Sequence, residues 1–201
     1  MLKKLVVVNK LFVVNKYNDP KKIYRYDSKS KSFNIDISLD YYRDIHNEWD
    51  YSPDKFKDLD EELLKYLEEC SLEIPLKNKV IINFFLPQKI KDVEREEKII
   101  IGFKNHISYK IRNKLSVKRN MIRSTLLYGV WGVVLLFVAY LLQKFIHHSF
   151  LGDLIPEGFL IGGWVLLWEI FSIVFFQIGE VNKKIKIYKR LLNSDVKYNY
   201  I

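Results

Sequence analysis

The chain contains one cysteine, five prolines and eight glycines in 201 residues. A lone Cys70 cannot close an internal disulfide, which excludes a disulfide-stapled scaffold and fits a reducing compartment. So few glycines and prolines exclude a collagen-like chain. A hydrophobic content of 49%, with no low-complexity tract, excludes a disordered one. Catalytic signatures are missing as well: there is no GxSxG elbow, Walker A loop, GxGxxG after a strand, CxxC, HExxH or EF-hand spacing. No catalytic residue, cofactor or metal is therefore expected, and an enzyme is disfavoured. Thirteen tyrosines and thirteen phenylalanines occur without an RNA-binding signature, so they do not read as base-stacking platforms.

What the sequence does have is charge of one sign in one half. Residues 1–105 carry 20 Lys/Arg and 19 Asp/Glu, a balance of +1, and residues 106–201 carry 13 and 5, a balance of +8. The basic half also holds the two longest apolar runs. Residues 124–143 have no charge, and residues 158–179 have only Glu169. Twenty helical residues span about 30 Å, the thickness of a bilayer's hydrocarbon core. Two buried core helices are the competing reading. A chain of this size lacks the residues to cover two helices that are apolar all round, so transmembrane helices are expected. Both runs lie too far from the start of the chain to be a signal peptide.

The charges orient these spans. Lys110, Arg112, Lys114, Lys118, Arg119 and Arg123 precede the first, and Lys183, Lys184, Lys186, Lys189 and Arg190 follow the second. The connecting residues 144–157 hold only Lys144, with Asp153 and Glu157. Eleven against one by the positive-inside rule puts both termini in the cytoplasm and the loop outside. The same clusters attract anionic headgroups, at about 1 kcal/mol per residue near the surface. With the excess charge accounted for by orientation, nucleic acid is not expected as a partner.

The first 105 residues read as a small folded domain. Leu5–Lys10 and Leu11–Lys16 echo each other and favour strand, either as a hairpin or as one strand with a bulge. Residues 23–26 and 32–38 read as a hairpin, with Phe33, Ile35 and Ile37 alternating with polar residues. Ser52-Pro53 reads as a helix start, with Phe56, Leu59, Leu63, Tyr66, Leu67 and Cys70 on one face. Residues 79–86 form a near-continuous apolar strand, central in a sheet. A helix from about Lys91–Asp92, acidic at its start, carries Phe103, Ile107, Ile111 and Leu115 every four residues and runs on towards the first span. A break near Gly102 or Ser116 is the alternative. Residues 196–201 alternate and read as an edge strand.

Several groups invite a functional reading. Glu169, with Ser172 one turn away, is costly in a bilayer and is read either as a protonated, hydrogen-bonded group or as part of an ion path or subunit contact. Gly158, Gly162 and Gly163, with Gly129 and Gly132, permit close helix approach within the hairpin or between copies. Asp40, Asp44, Glu48 and Asp50 form an acidic, aromatic stretch, read as a docking surface for a basic partner or as a solvated face. A metal there or at His147-His148 is disfavoured. His106 reads as a surface residue and Cys70 as a core thiol.

Ser52-Pro53, Asp58-Leu59-Asp60, Tyr66-Leu67, Glu157-Gly158, Ile161-Gly162-Gly163-Trp164, Trp168 and Tyr188-Lys189-Arg190-Leu191 together resemble a group of uncharacterised bacterial two-pass membrane proteins. The likeness runs from about Ser38 onward. It departs from the group's pattern after Trp168, where Glu169-Ile170 stand in place of a basic residue or proline. The resemblance implies a bacterial inner-membrane protein and brings no activity with it.

The expected architecture is thus an α+β cytoplasmic domain of order β-β-β-α-β-α (1–105), a basic juxtamembrane helix (106–123), an antiparallel transmembrane hairpin (124–143 and 158–179, with external loop 144–157) and a basic C-terminal helix and tail (180–201). The expected function is a non-enzymatic scaffold or recruitment module on the inner membrane, with a protein partner or further copies of itself. The alternative is a subunit of an oligomeric channel or transporter that uses Glu169.

Overall fold

The structure, a computed structural model, describes residues 19–145 and 150–201. The valine-rich runs of the first sixteen residues and the His147-His148 pair lie outside the described residues. The chain divides into two compact units. One takes the described residues up to Ile111 together with Lys186–Ile201, and the other is Arg112–Ile185.

The first unit is built on a four-stranded sheet of order β1-β2-β3-β4. A short helical turn, α1 (Pro20–Ile23), opens it. The Asp19 carboxylate caps this turn by accepting from the Lys21 N–H, with proline at the first helical position. Strands β1 (Arg25–Asp27) and β2 (Ser32–Ser38) pair as an antiparallel hairpin. Asp27 holds the turn between them, accepting from the Lys29 N–H at 2.9 Å and the Ser30 hydroxyl at 2.7 Å. Strand β3 (Lys79–Leu86) runs parallel to β2, and β4 (Asp195–Tyr200) runs parallel to β3. The sheet is therefore mixed, with three parallel strands.

One sheet face is apolar. Phe33, Ile35 and Ile37 of β2 and Val80, Ile82, Phe84 and Leu86 of β3 are all buried in the core. On the other face Asn83 is buried yet satisfied, donating to Asn34 Oδ1 at 3.1 Å and Asp36 Oδ1 at 2.6 Å. Helix α2 (Glu61–Glu73) supplies Leu63, Leu64, Leu67 and Cys70 to the core.

The expected start of α2 at Ser52-Pro53 is not what forms. Backbone bonds from Asn47 N–H to Asp58 O and from Asp60 N–H to Ile45 O, with a bridge between His46 and Leu59, hold residues 58–60 extended. A helix cannot pass through them. It begins one residue later, where the Asp60 carboxylate accepts from the Leu63 N–H at 2.9 Å. Pro53 closes only a single turn with Phe56 and Lys57, and Phe56 is exposed rather than packed.

Helix α3 (Val93–Phe145) runs 53 residues without a break at Gly102 or Ser116. Asp92 caps it through the Arg95 N–H. Its Ile99, Phe103, Ile107 and Ile111 are buried against the sheet, whereas Leu115, expected on the same stripe, is exposed. The stripe stops where the helix leaves the first unit.

Helix α4 (Phe150–Ser172) is followed by a π-helical turn, Ile173–Gln177, and by α5 (Ile178–Leu192). Of the segment 144–157, expected as a loop, the described residues are helical. Lys144 and Phe145 end α3, and α4 is already helical through Glu157, with Asp153 in the first turn where its charge suits the dipole. The last turns of α5 return to the first unit. There Ile187, Tyr188 and Leu191 are buried in the same core as the strands, and the chain then adds β4.

Gly102 shows how tightly α3 packs. A Cβ built on it would run into the backbone carbonyl of Asp54. Gly102→Ala is expected to cost about 1–3 kcal/mol, since backbone cannot give way as a side-chain tip does. Urea unfolding of the full chain in detergent micelles, followed by near-UV circular dichroism, checks it.

Candidate functional site

Three regions hold the residues singled out from sequence: the segment between β2 and α2, the two apolar helices, and the basic residues beside them.

The first region is the irregular segment Leu39–Asp60. Only Tyr42–Ile45 forms a short 3-10 turn in it. Asp44 accepts from the Tyr41 N–H at 2.8 Å. Asp50 accepts from the Ser52 N–H at 2.9 Å and the Asp58 N–H at 2.7 Å, and these bonds pull its carboxyl down to about 2. Both acids are therefore occupied in shaping the segment. Asp40 and Glu48 are exposed. Tyr42 is buried and ties three elements together. Its Oη lies 2.7 Å from Glu96 Oε1 on α3 and 3.1 Å from Tyr200 Oη on β4, and it accepts from the Asp92 N–H. Burial and the Glu96 carboxylate push its phenol up to about 12. Arg95 stacks on the Tyr42 ring and pairs with Asp54 at 3.2 Å.

His106 corrects a sequence expectation. It is buried, because its position on α3 falls beside the Phe103 and Ile107 stripe, and its Nδ1 lies 2.7 Å from Asp58 Oδ1. The Leu59 N–H also points at this nitrogen, at 3.4 Å, so the ring is held from both sides by the segment that precedes α2. His46 is buried too, and neither of its ring nitrogens finds a hydrogen bond among the described residues. Burial lowers the pKa of both rings; for His106 the Asp58 carboxylate opposes this without reversing it. No group of three or more His, Cys, Asp or Glu side chains that could hold a metal is found among the described residues. Cys70 is a buried core thiol, pushed up by burial.

The second region is the pair of long helices. Both are long and apolar enough to cross a membrane, and only 11% of each apolar window is buried. Bulky side chains such as Trp131, Phe137, Ile161, Trp168 and Phe176 are exposed. Glycines mark where the two helices touch. A Cβ on Gly132 would lie 3.2 Å from Leu167 and 3.3 Å from the Gly163 carbonyl, and one on Gly163 would press Leu136 at 2.7 Å. Gly129 faces Ile170 and Gly162 faces Leu135, each at 3.5 Å. A Cβ on Gly158 would meet nothing within 4 Å among the described residues. Ala139, seven residues after Gly132, is fully buried. The seven-residue spacing of small residues was the signal that could have found it. Glu169 and Ser172 are half-buried. No hydrogen bond or ion pair joins Glu169 to another described residue, and the π-helical turn begins four residues after it.

The third region is the set of basic residues. Arg112, Arg119, Arg123, Lys183, Lys184, Lys186 and Lys189 are exposed, and Lys110, Lys114 and Lys118 are half-exposed. Arg190 does something else. It donates to Ser71 Oγ and, at 2.9 and 3.2 Å, to the Ile74 and Pro75 carbonyls, so it caps the C-terminal end of α2. Its place on the inner side of α5, beside buried Leu191, removes it from any set of headgroup-binding residues. Tyr188 Oη donates to Glu68 at 2.5 Å, a second link between α5 and α2.

Comparison with protein families, with curated proteins and with solved structures finds no match to this chain.

The two buried histidines set a pH dependence. Their folded-state pKa values lie below the ordinary value of 6.5, so the unfolded chain takes up protons first as pH falls. Stability is full above about 6.5 and declines as pH drops below it. Melting temperature measured across that pH should fall on the acid side, and His46→Leu should flatten the slope.

Proposed function

We propose that the chain is a two-pass inner-membrane protein of bacterial type that displays its sheet domain to the cytoplasm as a non-enzymatic recruitment module. The observation that carries this reading is the pairing of β3 with β4. These strands neighbour each other in one sheet, yet residues 87–194, including both apolar helices, lie between them. A chain that leaves the sheet, enters a bilayer and returns to the same sheet must cross an even number of times. Two helices suit one hairpin.

Other features support it. The glycine contacts pair falling residue numbers on α4 with rising numbers on α3, as an antiparallel hairpin requires. The exposed aromatic and aliphatic side chains of both helices match lipid contact and would be untenable as a water-exposed patch. Exposed Lys and Arg before the first apolar stretch and after the second support a cytoplasmic side for those ends, near anionic headgroups.

Fusions test the topology. A fluorescent protein joined after Ile201 should fluoresce in cells, and alkaline phosphatase joined after Lys144 should be active. The reverse pattern would sink the orientation. A photo-crosslinking scan of the domain surface in native membranes tests recruitment, which should appear as defined protein adducts from one face; adducts from none would remove the reading.

A second reading rests on Glu169. Its half-buried carboxyl lacks a partner among the described residues on an otherwise apolar helix, next to a π-helical turn, a feature frequent at functional sites. Copies of the hairpin could assemble around it as a channel. Purified chain in liposomes would then pass protons or ions, and Glu169→Gln would abolish the flux. Tight liposomes, or flux indifferent to Glu169→Gln, exclude this reading.

A further inference from the structure

Residues 47–58 form a loop that is pinned at both ends and yet presents its largest apolar side chains to solvent. Trp49 is 95% exposed, Tyr51 fully exposed and Phe56 71% exposed. The backbone that carries them is fixed. Asn47 N–H donates to Asp58 O, and Asp50 bridges the Ser52 and Asp58 N–H groups. Asn47 Oδ1 accepts from the Trp49 N–H, and Asn105 of α3 donates to the Lys55 carbonyl at 2.9 Å. A loop ordered by this many bonds has already met much of the entropic cost of binding. Each of these aromatic side chains offers about 150–250 Å² for burial.

The electrostatics of the segment select among occupants. Residues 40–62 carry nine acids and three bases, a balance of −6 within a chain of +9. Asp40 and Glu48 are exposed, Glu48 directly before Trp49 in the chain, while Asp44, Asp50 and Asp54 hold the local structure. An anionic lipid surface or a nucleic acid would be repelled. A surface of positive potential with a cavity for an indole or phenol would be attracted.

We propose that this loop is the docking element of the domain, and that its partner is a protein surface bearing an apolar pocket rimmed by lysine and arginine. Trp49 and Tyr51 are the anchors, since Trp and Tyr are enriched at interface hot spots. Asp40 and Glu48 supply the charge that steers the encounter. This rests on the recruitment reading above and names its contact.

The test uses the full chain in phosphatidylcholine nanodiscs and an amphipathic helical peptide of lysine and leucine as probe. Trp49 emission is isolated by subtracting the signal of Trp49→Phe. A saturable blue shift is expected, lost when glutamate replaces the peptide's lysines and weakened at least about tenfold by Asp40→Lys with Glu48→Lys; binding of the same peptide carrying a fluorescein label, read by anisotropy, is weakened at least about tenfold by Trp49→Ala. These side chains are exposed, so the variants keep the fold, which the near-UV spectrum verifies. Equal binding of both peptides, or binding indifferent to Trp49→Ala, overturns the proposal. So does a blue shift on anionic vesicles without peptide, which would make the loop a membrane contact. A photo-crosslinker at positions 49 and 51 in native membranes separates the two readings. Protein adducts from these positions support both. Adducts only from other faces leave recruitment standing and remove this loop. Adducts from nowhere remove both.

Discussion

The parallel pairing of β3 with β4 is the contact on which the rest of the structure depends. Ile81 to Leu86 lie in register with Asp195 to Tyr200, although residues 87–194 separate the strands in sequence. The ends are zipped further by Ile201 N–H to Leu86 O and Gln88 N–H to Ile201 O. Until the last seven residues are in place, β3 is an edge, and Ile82, Phe84 and Leu86 lack Val196, Tyr198 and Tyr200 beside them. The sheet unit is complete only after both apolar helices have been made. Completion of the sheet thus depends on the chain returning to it after both helices.

Once β4 is fixed, polar staples lock the helices. Tyr24 donates to Glu73 at 2.6 Å, Tyr188 to Glu68 and Tyr42 to Glu96, so three phenols join separate elements through three glutamates. Each acid lies on a helix that also buries an apolar stripe, and each tyrosine places its ring in the core with its hydroxyl at the edge. Arg190 closes the C-terminal end of α2, and Asp60 and Asp92 close the N-terminal ends of α2 and α3. The loop between β2 and α2 inherits its rigidity from this frame, because Ile45, His46 and Leu59 are buried beneath it. A stiff loop with solvent-facing aromatics follows from a well-tied base.

Local patterns were legible wherever one element's neighbours hardly mattered. The alternation of Phe33, Ile35 and Ile37 marked β2, the apolar run 79–86 marked β3, and the four-residue recurrence of Phe103, Ile107 and Ile111 marked the buried side of α3. The tail's alternation marked β4. The sequence misled where a distant contact overruled a local signal. Ser52-Pro53 is a good helix start on propensity alone, but pairing between Asn47 and Asp58 holds the chain extended until Asp60. His106 reads as exposed among lysines, yet the helix turns it towards Asp58. Arg190 counts as one more basic flank until α2 is placed beside it. Gly158 shares a motif with Gly162, but a Cβ on it would meet nothing within 4 Å among the described residues, and the π-helical turn after Ser172 has no mark in the residues.

By itself, then, the sequence determined the periodic elements, the two long apolar stretches and the segregation of charge, because each is written in near-neighbour spacing or in composition. The tertiary structure decided which strands became neighbours, where α2 begins, which charged groups turn inward, and that three aromatic residues in an acidic loop are held outward on a fixed backbone. Those outcomes depend on hydrogen bonds and packing between residues far apart in the chain, and no local window contains both partners.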